Sequence, residues 1–113
     1  QKLAAREENR APVLSELAAL DDAAFRTRFS KSPVKRSGRE RFLRNVLIAI
    51  GNAETVALVP DVLALLDDES PLVRGAAVWA ASQLMNADEF AALKAKRAPA
   101  EADTSVAAEW DAA

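Results

Sequence analysis

Apolar positions along this chain recur at intervals of three and four, broken by short polar punctuation, and that spacing predicts helices from one end to the other. Pro12 opens the first such segment, PVLSELAAL, in which Val13, Leu14, Leu17 and Leu20 share a face. Asp21 is placed to cap a short helix, DAAFRTRF, with Phe25 and Phe29 four residues apart on one side. Ser30 to Gly38 reads as a loop, because Pro33 disfavours helix in its predecessor and Ser32, Ser37 and Gly38 are turn formers. From Arg39 the helical pattern resumes through RERFLRNVLIAIGN. There Phe42, Leu43, Val46, Leu47, Ile48 and Ile50 bury most of the circumference, and Gly51 with Asn52 reads as the stop.

A further helix is predicted from about Thr55 to Leu66, ending in the acidic turn DDES. Ser70 then caps a helix with Pro71 at its first position, PLVRGAAVWAASQLM. Its residues Leu72, Val73, Ala76, Ala77, Ala80 and Leu84 form a narrow face of mostly small side chains. A short helix, DEFAALKAK, follows Asn86. A last turn or two is predicted near the C-terminus, capped by Asp103 or Thr104 and anchored by Trp110.

Composition agrees with an all-α chain. Half of the 113 residues are hydrophobic, with Ala prominent, only six aromatic residues and three glycines. No apolar run is long enough to span a membrane. The N-terminus has neither a signal-like layout nor an initiator Met, which points to a processed or excised piece. With no Cys and no His, the chain offers no thiolate or imidazole for zinc, haem or an iron–sulfur cluster, and it lacks the commonest general base and the best nucleophile. Independent catalysis is disfavoured.

The segments NVLIAIGN and AAVWAASQ align about 31 residues apart, each preceded by an arginine and followed by a break. Together with LLDDESPLVR before the second copy, this is the layout of HEAT-like antiparallel helical hairpins: about two repeats plus capping helices. The repeat domain is assigned to residues 1–98 and a tail with a short helix to 99–113. Arg44 and Arg74 recur in the repeat and read as structural ion pairs. Trp79 reads as core, and Trp110 as either core or a stacking surface.

Charge changes the picture. The net charge is −2, yet the stretch from Arg26 to Arg44 holds eight cations (Arg26, Arg28, Lys31, Lys35, Arg36, Arg39, Arg41, Arg44) against the single acid Glu40. A polyanion suits such a cluster, through counterion release and bidentate arginine contacts. The competing reading is a solvated face or a partner for acids elsewhere in the fold, with Asp67, Asp68 and Glu69 at hand. Those three acids read as a turn, since they lack the ligand spacing of a calcium loop.

Three stretches carry a more specific signal: SPVKRSGRERFLRNVLIAIGN, LLDDESPLVRGAAVWA, and a terminal D-x-x-V-x-x-EW formed by Asp103, Val106, Glu109 and Trp110. Together they resemble the C-terminal region of epoxyqueuosine reductase, over nearly the whole chain. The resemblance implies an enzyme that reduces epoxyqueuosine to queuosine at the wobble position of tRNA. Cobalamin and two 4Fe–4S clusters would then be held by upstream reductase and ferredoxin-like domains, with no cofactor, metal or catalytic residue in this chain. It implies a cytoplasmic module that docks the tRNA anticodon arm. Lys31, Lys35, Arg36, Arg39, Arg41, Arg44 and Asn45 are the RNA-side candidates. Lys31 departs from the family pattern, where a small residue precedes Ser-Pro. The alternative is a protein-interaction scaffold with a basic docking loop.

Overall fold

Capping side chains fix where the helices begin. A computed structural model describes residues 2–31 and 34–113, with side chains described for 10–31 and 38–113. Among the described residues there are seven α-helices and no strand: α1 (Lys2–Ala18), α2 (Asp22–Arg28), α3 (Val34–Ala53), α4 (Val59–Leu65), α5 (Pro71–Leu84), α6 (Ala87–Arg97) and α7 (Thr104–Ala112). Short 3-10 turns lie at Val56–Leu58 and Ala98–Ala100. The Asp21 carboxylate accepts the Ala24 N–H at 2.8 Å, and the Ser70 hydroxyl accepts that of Val73 at 3.4 Å. Asn86 and Glu89 form a reciprocal capping box, and Asp103 receives the N–H groups of Ser105 and Val106.

The helices form two layers. Helices α3, α5 and α7 lie side by side with α5 in the middle; α1 packs on α3 and α4 on α5. On α6, Phe90 meets Trp110 of α7, with ring centroids 5.6 Å apart. The smallest extent of the molecule is 17 Å, which fits two helices stacked at the usual spacing of about 8–10 Å. Leu43, Leu47, Ile50, Val62, Val73, Ala77, Val78 and Val106 are buried at the centre. The small residues Ala77, Ala80 and Ala81 are also buried and let α5 sit between its neighbours. Phe25, Phe29 and Phe42 form a separate aromatic trio, centroids 5.0–5.3 Å apart, that fastens α2 to α3. No helix among the described residues is long and apolar enough to cross a membrane.

Four local expectations need correction. The first helix does not start at Pro12; α1 begins at Lys2 and carries the proline inside it. A proline removes one backbone bond, and the upstream KLAAREENR is rich in good helix formers that sustain the helix around it. Val13 does not share the buried face but is 53% exposed. Part of the expected loop is helical: a short first piece of α3 starts at Val34 and breaks at Gly38, whose φ of 82° is a conformation open to glycine, and the long helix then runs from Arg39 as expected. Ser32 and Pro33 lie outside the described residues.

Gly51 is the fourth. It does not end α3, which continues to Ala53, and the left-handed residue beyond it is Glu54, with a φ of 55°. Gly51 answers a packing demand. A Cβ there would sit 2.9 Å from Cη2 of Trp79 and closer still to Cζ3. The glycine is the seat of the indole, so Trp79 packs against the core while remaining only half-buried.

Candidate functional site

The basic stretch divides into cations the fold consumes and cations it leaves outside. Arg26 pairs with Asp22 at 3.1 Å and Arg28 with Glu16 at 3.2 Å, both on exposed surface. Arg39 is engaged more deeply. Its Nε donates to the Leu20 carbonyl at 2.9 Å and its Nη2 to Asp68 at 2.8 Å, with 20% and 10% of the two side chains exposed. Lys31, Arg41, Arg44 and Asn45 are exposed. Among the described side chains neither Lys31 nor Arg41 nor Arg44 has a carboxylate partner; Arg44 makes only a 3.3 Å bond to the Asn45 amide oxygen. The side chains of Lys35 and Arg36 lie outside the described residues.

Arg39 therefore does what Arg44 was expected to do. Arg74 holds the same office in the next hairpin. It reaches back to the carbonyls of Asp68 and Glu69 at 2.9 and 3.0 Å, and forward to both oxygens of Glu101 at 3.1 and 3.0 Å. Each acceptor carboxylate also takes a backbone N–H two residues on, Ser70 for Asp68 and Asp103 for Glu101. Those two residues are the N-caps of α5 and α7. The result is a ladder, Leu20–Arg39–Asp68–Arg74–Glu101, running across the hairpins at one end of the layer. Sequence alignment missed Arg39 because it sits one helical turn upstream of the position matching Arg74.

The ladder has a titration signature. Burial works to raise the Asp68 carboxyl pKa. The hydrogen bonds from Arg39 and the Ser70 N–H, with the charges of Arg39 and Arg74, outweigh it and hold the group below its ordinary 3.8. For Glu101 the Arg74 hydrogen bond dominates and outweighs burial, holding it below 4.5. A carboxyl depressed in the folded state contributes stability above its unfolded pKa and loses it as pH falls through the folded value. Thermal stability should be flat near neutrality and decline below about pH 4.5. The Asp68→Asn/Glu101→Gln double variant should start lower and show a shallower acid limb. An equally steep limb in the variant would place the titrating groups elsewhere.

The exposed cations of α3 lead into a groove. Arg41, Arg44, Ile48 and Asn52 follow one another at three- and four-residue steps down one stripe of the helix, with Asn45 beside Arg44. The lower part of that stripe borders an open groove of about 490 Å³ between α3, α5 and α7, walled by Arg44, Ile48, Asn52, Leu72, Trp79 and Glu109. Leu72 was expected to face the core and is instead 42% exposed at the groove. Ser70 and Pro71 set the register of α5, and in that register Val73 and Ala77 turn inward. Trp110 is core, 2% exposed against Phe90. No group of three or more metal-ligating side chains occurs among the described residues.

The family model for HEAT repeats matches residues 34–110, from the start of α3 into α7. An epoxyqueuosine reductase of Xanthomonas campestris pv. campestris is 44% identical over 75 residues, covering 63% of this chain and 20% of that protein. One from Alicycliphilus denitrificans is 37% identical over 86 residues, covering 66% and 24%. One from Bacillus cereus is 24% identical over 74 residues, covering 65% and 20%. The chain thus spans a fifth to a quarter of the length of the curated relatives it matches. No solved structure gives a significant match. A match across two thirds of the chain, on a two-layered array of helical hairpins, makes this protein a member of the HEAT-repeat family.

Proposed function

We propose that this chain is the C-terminal helical-repeat module of an epoxyqueuosine reductase and that it docks the anticodon arm of tRNA. Reductase and ferredoxin-like domains, holding cobalamin and two 4Fe–4S clusters, would lie elsewhere in the same polypeptide. The setting would be cytoplasmic. The observation that carries the RNA reading is the pair Arg41 and Arg44. Both stay exposed without a carboxylate partner among the described side chains, beside three arginines that are neutralised by acids. Lys31, Lys35, Arg36 and Asn45 belong to the same proposed ridge. Arg39 supports it from behind, holding α3 to the end of α1 and to the turn before α5. The enzyme is that of the relatives, which are epoxyqueuosine reductases.

An acidic protein surface would find the same ridge attractive, so the protein-scaffold reading makes an equal claim on Arg41 and Arg44. Competition separates the two. In the protein that carries this chain, a bound fluorescent tRNA should be displaced by unlabelled tRNA at comparable concentration. An unrelated acidic protein should need far more, because RNA offers a dense phosphate array with bidentate acceptors for arginine. Equal displacement by both would leave only generic charge attraction.

A further inference from the structure

The fold does not explain the groove that continues the basic stripe. Its lining combines the apolar Ile48, Leu72 and Trp79 with polar side chains, among them a cation, an amide and a carboxylate: Arg44, Asn52 and Glu109. Leu72 contributes little to the core at 42% exposure, and Arg44 has no charged partner among the described side chains. Trp79 is held from one side by the close approach of Gly51 and stays half-buried. A volume of about 490 Å³ falls within the range of small-ligand clefts, about 300–1,000 Å³.

We propose that this groove receives one unpaired nucleotide of the docked RNA, its base against Trp79 and its phosphate on Arg44. The proposal rests on the RNA-docking reading and deepens it. A base needs a flat apolar surface for its face, and donors and acceptors for its edge. Trp79 supplies the surface; Asn52 offers an amide donor and acceptor, and the Glu109 carboxylate an acceptor. Glu109 also repels phosphate, which orients the nucleotide with its charge toward Arg44. Arg41, one turn before Arg44 on α3, continues the cationic track away from the groove along the strand. Paired bases are excluded, because in a helix their faces are stacked and cannot reach a side chain.

The test uses the protein that carries this chain and an RNA hairpin with 2-aminopurine placed at each loop position in turn. The stem alone, as a blunt duplex, is the control. Binding should quench one loop position strongly. Trp79→Leu should abolish that quench and weaken hairpin binding about 5- to 150-fold, the range for loss of one stacked base. Duplex binding should stay unchanged, and Trp79→Phe should retain most of the quench. Arg44→Gln, on an exposed helix face, should weaken the hairpin and reduce the quench without lowering the melting temperature. That variant decides the matter if Trp79→Leu does not fold: an undiminished quench in Arg44→Gln overturns the proposal. Hairpin binding with no quenched position overturns the nucleotide site and leaves RNA docking standing. Equal losses for hairpin and duplex, with a lower melting temperature, make Trp79 merely structural and overturn it too. A protein that binds neither RNA overturns both readings.

Discussion

Asp68→Ala should be among the most damaging single changes in the molecule, at a cost of about 2–3 kcal/mol. The carboxylate accepts from Arg39 through two nitrogens, at 2.8 and 3.4 Å, and from the Ser70 N–H at 3.0 Å. Without it, the Arg39 guanidinium, 20% exposed, keeps only the Leu20 carbonyl among the described residues. An uncompensated charge in that position loses more than the pair contributes, because part of the desolvation remains. The figure sits below the usual cost for fully buried pairs because some water still reaches Arg39. In a domain of this size the melting temperature should fall by about 10 °C. Asp67→Ala is the control. Asp67 pairs with Arg97 but is 74% exposed, and its loss should cost less than about 1 kcal/mol. The Arg39→Met/Asp68→Leu double variant should recover much of the lost stability, since it leaves no stranded charge. Equal melting shifts for Asp67→Ala and Asp68→Ala would show that the ladder carries no special weight.

The second large effect is steric. Gly51→Leu should destabilise by about 1–3 kcal/mol, because the new side chain enters space held by the Trp79 indole. Gly51→Ala should already destabilise, though less than leucine: its methyl overlaps the ring and forces the indole to shift, offset in part by the roughly 1 kcal/mol that alanine gains over glycine in a helix interior. Trp79→Ala removes the obstacle, so Gly51→Leu should be much less harmful in that background. The coupling between the two sites should reach about 1 kcal/mol or more in a double-mutant cycle on melting curves. Strict additivity would mean the indole does not rest on Gly51.

Helix content and repeat layout were legible in the sequence because they depend on local signals. Asp21 and Ser70 with Pro71 each announce a helix start, and each caps as expected; Asn86, read only as preceding a helix, proves to cap it. What sequence could not supply was long-range partnership. Glycine after an apolar run looks the same whether it ends a helix or admits an indole from another one, and Gly51 is the second case. The eight-cation block was equally ambiguous. Nothing local tells Arg39, which pairs across 29 positions with Asp68, from Arg44, which pairs with no acid among the described side chains. Leu72 and Trp79 looked like core residues because their spacing matches a helical face; the breadth of that face, and hence the groove, is set by how α3 and α7 flank α5.

The central claim is that the cations of α3 other than Arg39 meet RNA phosphates while Arg39 holds the fold. It is tested most directly by a salt series on tRNA binding with two variants of the protein that carries this chain. Changing Lys35, Arg36, Arg41 and Arg44 together to Ala should lower affinity and reduce the slope of log affinity against log salt by about three units for single-strand-like contacts. The melting temperature should barely move at Arg41 and Arg44, because exposed charges contribute little to folding. Arg39→Ala should do the opposite, lowering the melting temperature while leaving the slope of the folded fraction almost unchanged. A quadruple variant with an unaltered salt slope would contradict the account, all the more if Arg39→Ala alone reduced it.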